Sequence, residues 1–306
     1  MKINYQHVAF IFLLLFALIF YCEYLIYYVV LWRCKWPLLP KINQQNAGYK
    51  TGGKPVLYAM FLADTHLLGT RLGHWFDKLR REWQMHRGFA TAYQYFQPEV
   101  IFFLGDVFDE GKWSGAKEFK ESRKRFHDLF PIDHSRSKGN ELSKLLSIHL
   151  NVFILIIKMK YHNLVLSFFL KKVFVVAGNH DIGFHYATTP YLIKRFNEAF
   201  NISKTGVQRV SLKNIQFVLV NSMAMHGDQC SFCSKATKQL EKISQEFNCM
   251  ENKEFCELEF VDEDVYSRPI LLQHFPLYRE SDINCGNEDG KYVLIILWTY
   301  HIMMIT

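Results

Sequence analysis

Four short clusters of side chains carry donors that bind divalent metal ions. Asp64 and His66 stand two apart. Asp106 and Asp109 follow Gly105, Asn179, His180 and Asp181 follow Gly178, and His274 precedes Phe275-Pro276. Carboxylate, imidazole and amide oxygen together suit Mn²⁺, Fe or Zn²⁺ rather than a soft-metal thiolate site. Asp106, at a tight glycine turn, can bridge two ions. Two ions about 3.5–4 Å apart clamp a phosphate oxygen and lower the pKa of a shared water. On an extended chain Asp64 and His66 point the same way. Glycines at 105, 111 and 178 allow close backbone approach to the metals.

Each cluster ends an apolar run of strand length, at residues 56–63, 100–104, 173–177 and 270–273. Between the first two runs, Leu72, Trp75, Leu79, Trp83, His86, Phe89, Tyr93 and Phe96 recur at steps of three and four. That spacing predicts an amphipathic helix, with Trp75 and Trp83 in the core. Strand, helix, strand is the βαβ pattern of a sheet covered by helices. Ligands of such sheets gather at the carboxyl ends of the strands, where all four clusters fall.

The chain has 306 residues, 50% hydrophobic, 16% aromatic and 21% charged, which excludes a disordered chain and allows one large α/β domain. The net charge of +7 is scattered without a basic run, so no nucleic-acid partner is expected. Seven Cys are too few for a disulfide scaffold. Cys230 and Cys233 form a CxxC without a second CxxC or CxxH in sequence, which argues against a zinc knuckle. In an oxidising lumen the five cysteines of the last third become disulfide candidates, with one left over.

Residues 8–32 are apolar except for Glu23 and would reach about 37 Å as a helix, enough to cross a bilayer. They read as an uncleaved anchor, after a tail of 1–7 and before a polar linker of 33–54. Lys2 precedes the span, whereas Arg33, Lys35, Lys41, Lys50 and Lys54 follow it, which alone would place the domain in the cytosol. The sequon Asn201-Ile202-Ser203 points instead to the lumen.

The order D-x-H, G-D-x-x-D, G-N-H-D and a His-bearing strand resembles the calcineurin-like metallophosphoesterase superfamily. Cys34-x-Trp36-Pro37, Asp64-Thr65-His66-Leu67-Leu68-Gly69, Leu79-Arg80-Arg81-Glu82-Trp83-Gln84-Met85, Asp109-Glu110-Gly111-Lys112-Trp113 and Gln273-His274-Phe275-Pro276-Leu277-Tyr278-Arg279 are similar to a membrane-anchored branch of it. The resemblance implies an α/β fold, a two-sheet αββα sandwich behind an N-terminal transmembrane helix. It implies a phosphodiesterase with two divalent ions, Mn²⁺ in this branch. Its substrate would be the GPI anchor, from whose second mannose it removes ethanolamine phosphate, promoting export of GPI-anchored proteins. The implied location is the membrane of the early secretory pathway (ER exit sites, the ER–Golgi intermediate compartment and the cis-Golgi), with the domain in the lumen. Carried over by motif, Asp64, His66 and Asp106 hold one ion, and Asp106, Asn179 and His274 the other. His180 contacts the phosphate and protonates the leaving oxygen, and Asp109 orients His180. Glu110 is read as a solvated turn. His74, His86, His185 and His226 are read as structural, and Arg80, Arg81 and Arg279 as a solvated face.

The sequence departs from that pattern twice. The superfamily's closing G-x-H-x-H or G-H-x-H motif has no counterpart after His274, where only His301 follows. Residues 142–172 contain five Lys and no Asp or Glu. Both departures are expected to be translated from retained intron, the alternative being a genuine family insertion with a divergent tail. The domain of 55–290 would then be incomplete and 291–306 an aberrant tail, so a weak or inactive chain is expected. The rival readings are another membrane phosphoesterase of the superfamily and a non-catalytic form that binds GPI-anchored cargo.

Overall fold

The computed structural model describes residues 5–34, 56–71, 73–131, 172–228, 230–251 and 266–276, and the backbone of 303–305. Linker residues 35–55, insertion residues 142–171, Arg279 and most of the 291–306 tail lie outside the described residues. The chain opens with helix α1, Tyr5–Trp32, which is long and apolar enough to cross a membrane. A single wider turn at Tyr21–Leu25 contains Glu23.

The elements that follow are β1 (Ala59–Leu62), α2 (Trp75–Phe96), β2 (Val100–Leu104), α3 (Ala116–Leu129), β3 (Lys172–Val176) and the single turn α4 (Asn179–Ile182). After these come α5 (Pro190–Phe200), β4 (Val207–Leu212), β5 (Ile215–Val220), α6 (Ser231–Glu251), β6 (Ile270–Gln273) and β7 (Met303–Ile305). One sheet has the order β3-β2-β1-β7 and the other β4-β5-β6. β1, β2 and β3 run parallel, in a register that pairs Ala59 with Val100 and Val100 with Lys172. β6 runs parallel to β5.

Period-two alternation explains why both faces of these sheets are buried. Met60, Ile101, Phe103 and Val175 face a helical layer with Phe89, Phe126 and Phe196. The alternate residues Ala59, Phe61, Val100, Phe102 and Val176 meet Leu212, Phe217, Leu219 and Leu272 of the second sheet. Phe102, fully buried, lies between them, with ring centroids 5.1 Å from Phe61, 5.4 Å from Phe174 and 4.9 Å from Phe217. The outer face of the second sheet packs Val218 and Val220 with Ala236, Ile243 and Phe247 of α6. The result is the αββα sandwich that the motif order implied.

Several sequence expectations change at this level. β1 is four residues long rather than eight, and β3 begins at Lys172, one residue inside the expected insertion. The backbone of β7 pairs antiparallel with β1, so part of the expected aberrant tail covers that sheet edge. Trp75 and Trp83 are not core, being 68% and 45% exposed. Only the second half of α2 lies over the sheet, where Phe89, Tyr93 and Phe96 are buried. Its first half runs along α1, where Trp83 Nε1 donates to Glu23 Oε2 at 3.1 Å and the Arg87 guanidinium sits 3.8 Å over the Tyr24 ring. Glu23 therefore has a donor from the domain.

Candidate metal centre

The loops after β1 and β2 stay zipped together beyond the strands. Asp64 N–H donates to Gly105 O at 3.1 Å, His66 N–H to Asp106 O at 2.9 Å, and Leu67 N–H to Val107 O at 3.0 Å. Asp64, His66 and Asp106 have φ of 55°, 42° and 48°. Side chains rarely adopt this left-handed region, and such backbone clusters at functional sites. It corrects the extended-chain argument: Asp64 and His66 converge because the backbone coils back on itself, with each amide tied to the neighbouring loop. Gly105, at φ 97°, leaves room for the His274 ring, which any Cβ there would strike. Gly178 does the same for the Asp106 carboxylate. The space these two glycines open is filled by the side chains of His274 and Asp106.

Asp106 is the centre of the arrangement. It is 3% exposed, and its Oδ2 lies 3.5 Å from His66 Nε2 and 3.5 Å from His274 Nε2. Its Oδ1 accepts the His180 N–H at 2.8 Å. Burial works to raise the Asp106 pKa, but the hydrogen bonds from His274 and the His180 amide outweigh it and hold the carboxyl below its ordinary value. One carboxylate between two imidazoles from different strands is the geometry of a bridging ligand.

His274 enters from β6 of the second sheet. Its Nδ1 donates to Leu104 O at 2.9 Å, and its Nε2 faces Asn179 Oδ1 at 3.2 Å as well as Asp106. A backbone carbonyl on one ring nitrogen leaves the other as the atom able to face a metal. His66 is oriented in the same way by a carboxylate, with Nδ1 3.1 Å from Asp109 Oδ1 and Nε2 3.7 Å from Asp64 Oδ1. Asp109 thus reaches His66 more closely than His180, whose Nδ1 is 3.4 Å from the same oxygen. His180 Nδ1 is held instead by the Asp109 backbone carbonyl at 2.8 Å.

The donors fall into two groups whose ligand atoms lie within 4.8 Å of one another: Asp64, Asp106 and His274, and His66, Asp109 and His180. Asp64 raises the His66 pKa against the opposing effect of burial, with help from Asp106 and Asp109. Burial works to lower the His274 pKa, but Asp106 and the Leu104 carbonyl raise it overall. Both imidazoles therefore favour a positive charge in this nest of carboxylates. All the sequence-derived donors converge here, and the set fits two divalent cations.

Two carboxylates play parts that the motif reading did not give them. Asp181 is 1% exposed and accepts N–H groups from Phe108 at 2.9 Å, Gly178 at 2.9 Å and Val107 at 3.2 Å. It ties the β2 and β3 loops together, and burial pushes its pKa up to about 7 despite those donors. The acidic fourth place of Gly-Asn-His-Asp was the visible signal for it. Glu110 is no solvated turn. It is 4% exposed, lies against Gly69 and accepts the Arg71 N–H at 2.9 Å. Two readings as structural histidines hold, since His74 Nδ1 accepts the Phe76 N–H at the start of α2 and His86 Nδ1 bonds Leu129 O at 2.9 Å.

The fold and the donor set define a class. The chain belongs to the calcineurin-like phosphoesterase family, which matches residues 58–297. Among curated proteins it is similar to metallophosphoesterase 1 of Ailuropoda melanoleuca, with 45% identity over 90% of this chain and 60% of that protein. It is likewise similar to metallophosphoesterase 1 of Mus musculus, with 43% identity over 90% of this chain and 59% of that protein. The chain from Gallus gallus, of the same name, is 40% identical over 90% of this chain. The chain thus spans about 60% of the length of the curated relatives it matches.

Proposed function

We propose that in the full-length protein this centre hydrolyses a phosphodiester with two Mn²⁺ ions. We propose further that its substrate is the ethanolamine phosphate on the second mannose of GPI anchors. The observation that carries the hydrolytic reading is the placement of Asp106 Oδ2, equidistant from His66 Nε2 and His274 Nε2. Asp64, His66 and Asp106 would hold one ion, and Asp106, Asn179 and His274 the other. The ions would supply charge neutralisation of the phosphate and an activated water.

The chain's own groups do the rest. His180 has Nδ1 committed to Asp109 O, so a proton given to the leaving oxygen comes from Nε2. The Asp109 carboxylate keeps the His66 ring turned, with Nε2 toward Asp106. The buried Asp181 holds together the two loops that carry Asp106 and His180.

The GPI reading is supported by the quoted motifs and by an N-terminal helix suited to anchoring near a lipid-linked substrate. Tethering raises the effective concentration of such a substrate. The luminal, early-secretory reading is supported by the exposed Asn201 of the sequon and by the disulfide of Cys230 with Cys233. Mass spectrometry of GPI glycans from cells lacking the gene tests the substrate. Retention of ethanolamine phosphate on the second mannose, reversed by re-expression, is the expected result. Unchanged glycans would leave a phosphoesterase with a different membrane substrate.

A further inference from the structure

A second cluster of donors lies outside the paired centre. Cys230 and Cys233 stand at the start of α6, where the Cys233 N–H points to Cys230 Sγ at 2.9 Å. The fold supplies the two ligands that sequence spacing lacked. Asp228 Oδ1 lies 3.3 Å from Cys233 Sγ, and the turn at His185–Ala187 brings the His185 ring to 3.9 Å from that sulfur. Ligand atoms of all four residues lie within 4.8 Å of one another. Cys233 is 3% exposed, so one thiol comes from the protein interior.

The corner is arranged around the His185 ring. His185 Nδ1 is 2.8 Å from Met223 O and its Nε2 is 2.7 Å from Asp228 Oδ2, so both ring nitrogens meet acceptors. The Met223 carbonyl, and then Asp228, raise its pKa above the ordinary value. His226 stacks on the same ring with centroids 4.3 Å apart. A histidine turned by a backbone carbonyl, beside a carboxylate and a CxxC, is a ligand set for tetrahedral zinc. The soft sulfurs distinguish it from the oxygen and nitrogen donors of the paired centre.

In the structure Cys230 and Cys233 are joined as a disulfide, which cannot serve as two thiolates. We propose that His185, Asp228, Cys230 and Cys233 form a third metal site, for one Zn²⁺, that exists only while this disulfide is reduced. A dithiol reductant transfers two electrons and two protons to the S–S bond, giving two thiols and its own cyclic disulfide. Zn²⁺ then binds both sulfurs, and the two thiol protons, with any proton carried by the ring nitrogen that meets the metal, pass to solvent. Oxidation reverses the choice. The occupied site would pin the His185 turn, the 222–228 loop and the start of α6 together. That loop also reaches the paired centre, because Ser222 Oγ accepts the Phe275 N–H at 3.2 Å, next to His274.

Cobalt titration of the full chain in detergent tests this, because thiolate–cobalt bonds give near-ultraviolet charge-transfer absorption that the sulfur-free paired centre cannot. In the dithiol-reduced chain, that absorption should saturate at one Co²⁺ per chain and be erased by Zn²⁺. It should be absent from the oxidised chain and from Cys230→Ser/Cys233→Ser. His185→Ala should weaken Co²⁺ binding at least about tenfold. Mn²⁺ uptake by the paired centre serves as the folding control for both variants. The proposal is overturned if the reduced chain, with Cys230 and Cys233 shown free by alkylation, gives no such absorption. It is equally overturned if the absorption survives in the double serine variant.

Discussion

Asp106 meets partners far along the chain: the His180 amide, 74 positions on, and the ring of His274, which is itself anchored to Leu104 across 170 positions. At the Cys230 corner, Asp228 and Cys233 are five residues apart, and only His185 arrives from a distance. The first constellation is held by strand ends of two sheets, by left-handed backbone at Asp64, His66 and Asp106, and by a buried carboxylate beneath. The second rests on a loop and a helix start, with Asp228 46% exposed. Donors imposed by a sheet are positioned by the fold itself, which suits a site of fixed geometry. Donors supplied locally need little of the fold and are free to change state.

The largest test of this contrast is Asp106→Ala, which should lower phosphodiester hydrolysis by about 10³-fold or more while leaving the Cys230 corner untouched. Steady-state rates and metal counts on the same sample decide it, and near-normal turnover would remove Asp106 from the centre. His180→Ala should cost about 10²–10³-fold in kcat with metal content preserved. A leaving group of low pKa should recover much of that loss, because it needs no proton; failure to recover would deny His180 the acid role.

Asp181→Ala strips three buried amides of their acceptor and should destabilise the domain by about 3 kcal/mol, read by denaturant melts. The metal-free chain should also lose stability as pH rises. His66 and His274, whose folded pKa values are raised, contribute stability that is whole below 6.5 and lost as pH climbs through those values. Asp181, at about 7 when folded against 3.8, favours the folded state increasingly as pH falls between those values, so its contribution also declines up to about pH 7. Divalent metal should flatten the profile, and melts from pH 6 to 8 with and without Mn²⁺ measure the difference. The smallest effect belongs to Trp83→Phe, which removes the donor to Glu23 and should cost about 1 kcal/mol of thermal stability with no change in turnover.

The paired centre was legible because its chemistry follows strand ends. Apolar runs at 100–104 and 270–273 locate β2 and β6, and the polar residues after them can only sit at the sheet's edge. What escaped was whatever depends on contacts between loops. Asp181 and Asp109 are both acidic residues after a strand, and only the fold says that one faces His66 while the other collects three amides. Glu110 looked solvated because a turn is normally wet, yet this one is folded under Gly69. Trp75 and Trp83 kept the helical period of α2, but periodicity does not say how far the sheet extends beneath a helix. His185 had no motif, because its partners are 38 to 48 positions away.

The pairing of α1 with α2 has a mechanical corollary. Glu23 and Tyr24 grip Trp83 and Arg87 inside the helical run itself, upstream of any connecting coil. The domain is thus held against its own N-terminal helix by side chains of both. Were α1 set in a membrane, only its part before Glu23 would be left to span it, and the domain would keep one height and one tilt beside the surface.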